Sequence, residues 1–142
     1  MVRVAADGAS IAAYVWDYAK KMEIIRFFWD SAVEFDPEAA KLDEGIRFPL
    51  CHPEVLMDLF SGAGLQKVEV ESLEIEARFE NFDDFWSPFL GGQGPAPSYL
   101  LSLSEESRIG LRDRIKERLP ISEDGSILLT ARAWAVRGLL SK

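Results

Sequence analysis

Ser10-Ile-Ala-Ala-Tyr-Val-Trp16 decides how this chain is read. The run follows an Asp7-Gly8 turn signal, is almost wholly apolar and ends at Asp17-Tyr18. An apolar stretch of strand length without polar alternation is the pattern of a strand buried on both faces, as in a parallel sheet. Such a strand belongs inside a sheet, with a neighbour on each side.

Two further strands are legible. Residues 67–79 alternate, but Val68 and Val70 share one parity while Leu73, Ile75, Ala77 and Phe79 share the other. The slip predicts a β-bulge or bend near Glu71-Ser72. Residues 126–136 place Leu129, Ala131, Ala133 and Ala135 on one side and Thr130, Arg132, Trp134 and Val136 on the other. The small residues predict close packing under a helix.

Helices separate these strands. Over 20–35, Met22, Ile25, Trp29, Ala32 and Val33 keep helical spacing until Asp36-Pro37. Residues 36–50 are acidic and irregular, with one turn of helix around 38–42. Pro53 opens a helix that buries Val55, Leu56, Leu59 and Phe60 and stops at Gly62 and Gly64. Asn81 caps a short aromatic helix that Pro88 ends or kinks. Ser102 and Glu105 fit a capping box for a helix over 103–119. Strands alternating with helices predict an α/β fold. The 142 residues suffice for one domain and not for two. Three strands make a narrow sheet, and the interior-type strand at its start lacks something to pair with.

Sixteen basic residues against 24 acidic give a net charge of −8. Phosphate backbones repel such a chain, so no nucleic-acid partner is expected. Arg108, Arg112, Arg114, Lys116 and Arg118 are interleaved with acids, as on a solvated helix face. Cys51 and His52 are the only cysteine and histidine. That leaves no intrachain disulfide, too few ligands for a metal and no basis for a histidine-dependent triad. The longest apolar run is far too short to span a bilayer, and no signal peptide is visible at the start. A soluble cytoplasmic protein without a membrane partner is the expectation.

One stretch has the makings of a pocket. Phe82, Phe85, Trp86 and Phe89 fall at i, i+3, i+4 and i+7, and Gly91, Gly92, Gln93, Gly94 and Pro95 follow. Four rings beside a permissive loop can line a small-molecule site. The plainer role of the same rings is to pin the helix to the core. Trp86 and Phe89 are the best wall candidates, and Gln93 is the most attractive polar group of the loop. Trp29 and Trp134 are assigned to the core.

Ala12-Ala-Tyr-Val-Trp-Asp17, Arg47-Phe-Pro-Leu-Cys51, residues 53–65, residues 82–97 and residues 126–136 follow one another in a familiar order and spacing. Over essentially its whole length the chain resembles the C-terminal half of a class I S-adenosylmethionine-dependent methyltransferase, of the UbiE-like or methyltransferase type 11 kind. The resemblance implies a partial Rossmann-like sheet. Residues 10–16 are similar to the fifth strand of that fold and 67–79 to the sixth. Residues 126–136 are similar to the seventh, inserted antiparallel between them. The first four strands, with the glycine-rich loop and the acid that hold the cofactor, would precede residue 1. Gly62-Ala-Gly64 lies between a helix and a strand, and residues 91–94 follow a helix, so neither opens a helix after a strand as cofactor binding requires.

The resemblance therefore implies the substrate-side portion of an enzyme that methylates a small molecule. S-adenosylmethionine would be held elsewhere, and the isolated chain would bind it weakly or not at all and be inactive. Ligands of open α/β sheets bind beyond the carboxyl ends of the strands, where Trp16, Asp17 and Tyr18 lie. Trp16 and Tyr18 are candidate walls, and Asp17 either orients a polar group or serves the turn. Arg47 either meets an anionic substrate group or makes a surface ion pair. No residue is assigned as catalytic, because methyl transfer from a sulfonium depends on in-line approach in a dry site. Two alternatives stand beside this one. The first is a non-catalytic module that pairs through its first strand with its own copy or with a cofactor-binding chain. The second is a folded remnant without activity.

Overall fold

A computed structural model describes residues 1–141. The strands are β1 (Ser10–Trp16), β2 (Gln66–Phe79) and β3 (Ile127–Leu139). The helices are α1 (Glu23–Phe35), α2 (Glu44–Arg47), α3 (Pro53–Gly62), α4 (Phe82–Trp86), α5 (Pro95–Ser102) and α6 (Glu105–Arg118), with short 3-10 turns between them. The sheet order is β1-β3-β2, and β3 runs antiparallel to both neighbours. The last strand of the chain is thus inserted between the first two. The fold is mixed α/β with an open three-stranded sheet, as the alternation of strands and helices predicts.

β1 forms an edge of this sheet. It reads as an interior strand, yet only Ile11 is buried and Tyr14 is 72% exposed. The side chains at its odd positions face the α3 core, where Ile11 is buried and Ala13 and Val15 pack partly against it, while Ala12 and Tyr14 lie on the exposed face.

Two cores lie on opposite faces of the sheet and toward opposite ends. One joins α1, α4, α5 and α6 to Ile127 and Leu129 and is dominated by Phe28, Trp29, Phe85, Phe89 and Tyr99. The other places Leu56 and Phe60 of α3 over Ile11, Leu65, Val136 and Leu140. Successive strand residues point to opposite faces. β3 accordingly buries Ile127, Leu129, Ala131 and Ala133, then switches to Val136 and Gly138. β2 does the same: Val68 and Val70 pack on the α3 core and Phe79 on the aromatic one. This switch explains the parity change in β2, where the pairing is continuous through Glu71 and Ser72. The bulge lies earlier, between Gln66 and Glu69, where Lys67 adopts φ +51°.

Two helix ends differ from expectation. Ser102 closes α5, with Oγ donating to the Tyr99 carbonyl at 2.7 Å. The cap of α6 is Ser104, whose Oγ accepts from Ser107 N–H at 3.2 Å. α5 itself is hidden from periodicity by Pro95 and Pro97 in its first turn, where proline is tolerated. Asn81 caps α4 as expected, accepting from Asp84 N–H at 3.0 Å. No described helix is long and apolar enough to cross a membrane.

Candidate functional site

β1 ends at Trp16, and the chain turns sharply at Asp17. Asp17 Oδ1 accepts from Lys20 N–H at 3.0 Å, and its carbonyl accepts from Met22 N–H at 2.9 Å. Its Oδ2 accepts from Arg132 Nε at 2.8 Å, tying the turn to β3. Asp17 is almost fully buried and its valences are taken up by the fold. Arg132 also lies 4.5 Å from the Trp134 ring, so its guanidinium is held on two sides.

Tyr18 is half-buried, and its carbonyl accepts from Arg26 Nη1 at 3.1 Å. Its ring centroid lies 6.1 Å from that of Phe48, and Arg47 sits 5.8 Å over the Phe48 ring. Trp16, Asp17 and Tyr18 thus follow one another at the carboxyl end of β1, and Phe48 links Tyr18 to Arg47. The other candidates lie elsewhere. Trp86 and Phe89 are buried in the aromatic core, where Phe89 stacks on Phe28 at 4.9 Å. Gln93 is exposed on its loop.

The pattern missed a charged cluster beneath Tyr18. Arg26 makes a two-pronged bond to Asp43, with Nη1 to Oδ1 at 2.7 Å and Nη2 to Oδ2 at 3.0 Å, and it also reaches Asp30. Burial opposes the charge on Arg26, but the bonds to Asp43 and Asp30 outweigh it and raise its pKa. Glu44 is buried and accepts from Trp29 Nε1. Burial pushes its carboxyl above the ordinary value against the opposing Trp29 bond. Burial likewise raises the Tyr18 hydroxyl, with the nearby Glu44 and Cys51 adding to it, and raises the Cys51 thiol. Gly45 makes the cluster possible: a Cβ there would stand 2.7 Å from the Tyr18 carbonyl and 2.9 Å from Arg26 Nη1. The available signal was the Asp43-Glu44-Gly45 triplet, in which Asp43 caps α2 by accepting from Gly45 N–H at 2.8 Å.

The glycines do not form a cofactor cradle. Residues 91–94 do open a helix, with Gly94 as the N-cap of α5, which corrects the expectation that they only follow one. Pro95 and Pro97 supply no N–H to that first turn, and Ser98 N–H is spent on the Gly94 carbonyl. Gly64 follows α3 and leads into β2. Neither glycine segment fits the cofactor-holding loop of S-adenosylmethionine binding.

The open side of β1 is the other notable surface. Leu140 N–H donates to the Ala9 carbonyl and Asp17 N–H to that of Arg132, so odd positions face β3. The backbone N–H and C=O of Ala12 and Tyr14 point to the free edge. Beside that edge lies a hollow of about 300 Å³, lined chiefly by Ala12, Tyr14, Leu73, Ala135, Glu71 and Arg137. β1 carries no charge. The opposite edge, β2, carries Lys67, Glu69, Glu71, Glu74, Glu76 and Arg78. Charged side chains are the usual guard against unwanted strand pairing, and β1 has none.

Compared with protein-family models and with curated proteins, the sequence finds no match.

Proposed function

We propose that the chain is the acceptor-side portion of a class I methyltransferase fold acting on a small molecule, with its cofactor half supplied across β1. One observation carries this reading: the last strand lies antiparallel between the first two, in the order β1-β3-β2. That is the arrangement the resemblance implies for the fifth, seventh and sixth strands. The uncharged free edge of β1 supports it, since an interior-type strand calls for a neighbour on that side. On this reading the acceptor lies beyond the carboxyl end of β1, bordered by Trp16, Tyr18 and Phe48, with Arg47 toward an anionic group. Asp17 holds the end of the strand in place through Arg132 and contacts no acceptor. The chain provides walls and a rigid floor, and the cofactor half provides the methyl donor.

The test is calorimetric titration with S-adenosylmethionine. The isolated chain is expected to give no micromolar binding. Mixed with a separately produced four-strand N-terminal unit of a small-molecule class I methyltransferase, it is expected to co-elute and to gain binding. Micromolar binding by the isolated chain would overturn the division of labour, and failure to associate with any such unit would count against the fold reading.

The second reading is a non-catalytic module that pairs through β1. The absence of charge along that edge favours it, whatever the ancestry of the sheet.

A further inference from the structure

We infer that two copies of this chain pair through β1 into a continuous six-stranded sheet, each seating Tyr14 in the hollow of the other. The inference rests on the free edge described above and is independent of the methyltransferase reading. Ala12 and Tyr14 alone in the middle of β1 direct both backbone groups outward. An antiparallel two-fold through Ala13 pairs Ala12 with the partner copy's Tyr14, and Tyr14 with its Ala12. It also overlaps all seven strand residues.

Side-chain size selects this register. Directly paired residues lie on the same face of the sheet. With the axis at Tyr14, two large rings would stand on one position. With the axis at Ala12, two methyl groups would face each other across a gap. With the axis at Ala13, each large ring meets a small residue. The hollow of about 300 Å³ is where that ring lands, because Ala12 and Ala135 leave the space beside it. Arg137 pairs with Ala12 across the β1–β3 ladder, so the phenol oxygen of the seated Tyr14 comes to the Arg137–Glu69 ion pair at the border of the hollow. Leu73, 53% exposed, closes the far side of the hollow.

Charge permits the pairing. Each copy carries −8, but the contacting strand is neutral. The acidic β2 edges end up five strand spacings apart, about 24 Å, well beyond the screening length of about 8 Å at physiological salt. The contact is short for a permanent dimer, so a reversible one with a dissociation constant of about micromolar order is expected. The cofactor half would compete for the same edge.

Sedimentation velocity over a micromolar concentration series tests this on the full chain. A monomer–dimer equilibrium is expected. Tyr14→Lys is expected to weaken it by more than about tenfold with unchanged far-UV circular dichroism, since Tyr14 is exposed in the monomer. Ala13→Cys reports the register, because the two-fold brings the Ala13 Cα atoms to about 4.5 Å, within disulfide range. Under mild oxidation it is expected to cross-link, while the buried Cys51 of the parent chain does not. A chain that stays monomeric throughout, or a dimer indifferent to Tyr14→Lys, overturns the inference. A dimer in which Ala13→Cys never cross-links overturns the register. A monomeric result leaves the cofactor-half reading standing, since that is judged by association with the N-terminal unit.

Discussion

The Asp17–Arg132 pair holds together two positions 115 residues apart in sequence. Its carboxylate is 2% exposed, so removing the cation leaves a charge with no route to water. Arg132→Met is expected to destabilise the fold by about 3–5 kcal/mol, measured by urea denaturation. A loss no larger than that of a surface pair would show that the end of β1 is held by other means. Gly45 is constrained by space, since its missing Cβ leaves room for the backbone of Tyr18 and Ala19. Gly45→Ala pushes into backbone that cannot yield cheaply and is expected to cost about 1–3 kcal/mol, with a lowered midpoint in thermal melting. Glu44 sets a dependence on pH. Its carboxyl holds a proton more tightly in the folded chain than in the unfolded one. Between the two pKa values the folded state carries more protons, so stability falls as pH rises. The stabilisation is full below about 4.3, the ordinary carboxyl value, and is lost as pH climbs through the raised folded value. Glu44→Gln keeps an acceptor for Trp29 and is expected to flatten this fall, read as unfolding free energy at stepped pH. An unchanged slope in that variant would place the effect on another group.

At the scale of the element, the strands and the longer helices were legible and the layering was not. Residues 10–16 announce a strand by an unbroken apolar run, 67–79 and 126–136 by alternation, and 20–35 and 53–62 announce helices by helical spacing. The parity change in β2 was visible too, but its cause was not: a bulge and a change of covered face give the same string of letters. Only β3, which switches faces without a break in pairing, separates them. α5 stayed hidden because prolines mask its start, and the Arg26–Asp43 cluster because its members are distant in sequence. The placing of Trp16, Asp17 and Tyr18 at the strand end was legible from strand direction, that of Arg47 near them was not, and Trp86 and Phe89 carry a spacing that serves a wall and a core alike. The face switch also fixes Gly138. A Cβ there would stand 2.9 Å from Leu65 Cβ and 3.3 Å from Val68 Cγ2. Gly138→Val is expected to lift β3 off the α3 layer and cost about 1–3 kcal/mol. The measurement is the denaturation midpoint, and a neutral result would mean that the bulge at Lys67 absorbs the strain.

Across the whole molecule, the sheet is the structure that both cores share, and they are unequal. The aromatic core gathers sixteen buried residues from α1, α4, α5, α6, β3 and the turns beside them, against six around α3. Free energy of local opening follows the apolar surface that opening exposes, so the two ends should not open together. Amides of Leu56 and Phe60 in α3, with Ala13 and Val15 of β1, are expected to exchange through a partial opening. Those of Phe28 and Trp29 in α1, and of β3 from Ile127 to Ala133, should require global unfolding. Native-state hydrogen exchange at rising denaturant separates these cases. Two isotherms that merge only near the global transition fit the split core, and one shared isotherm would show a single cooperative unit. The weaker end is also the end with the free edge. A partner strand along β1 would stiffen that end first, so its amides should gain protection on association while those of α1 stay unchanged. Where the protection appears therefore reports whether β1 takes a neighbour, independently of what that neighbour is.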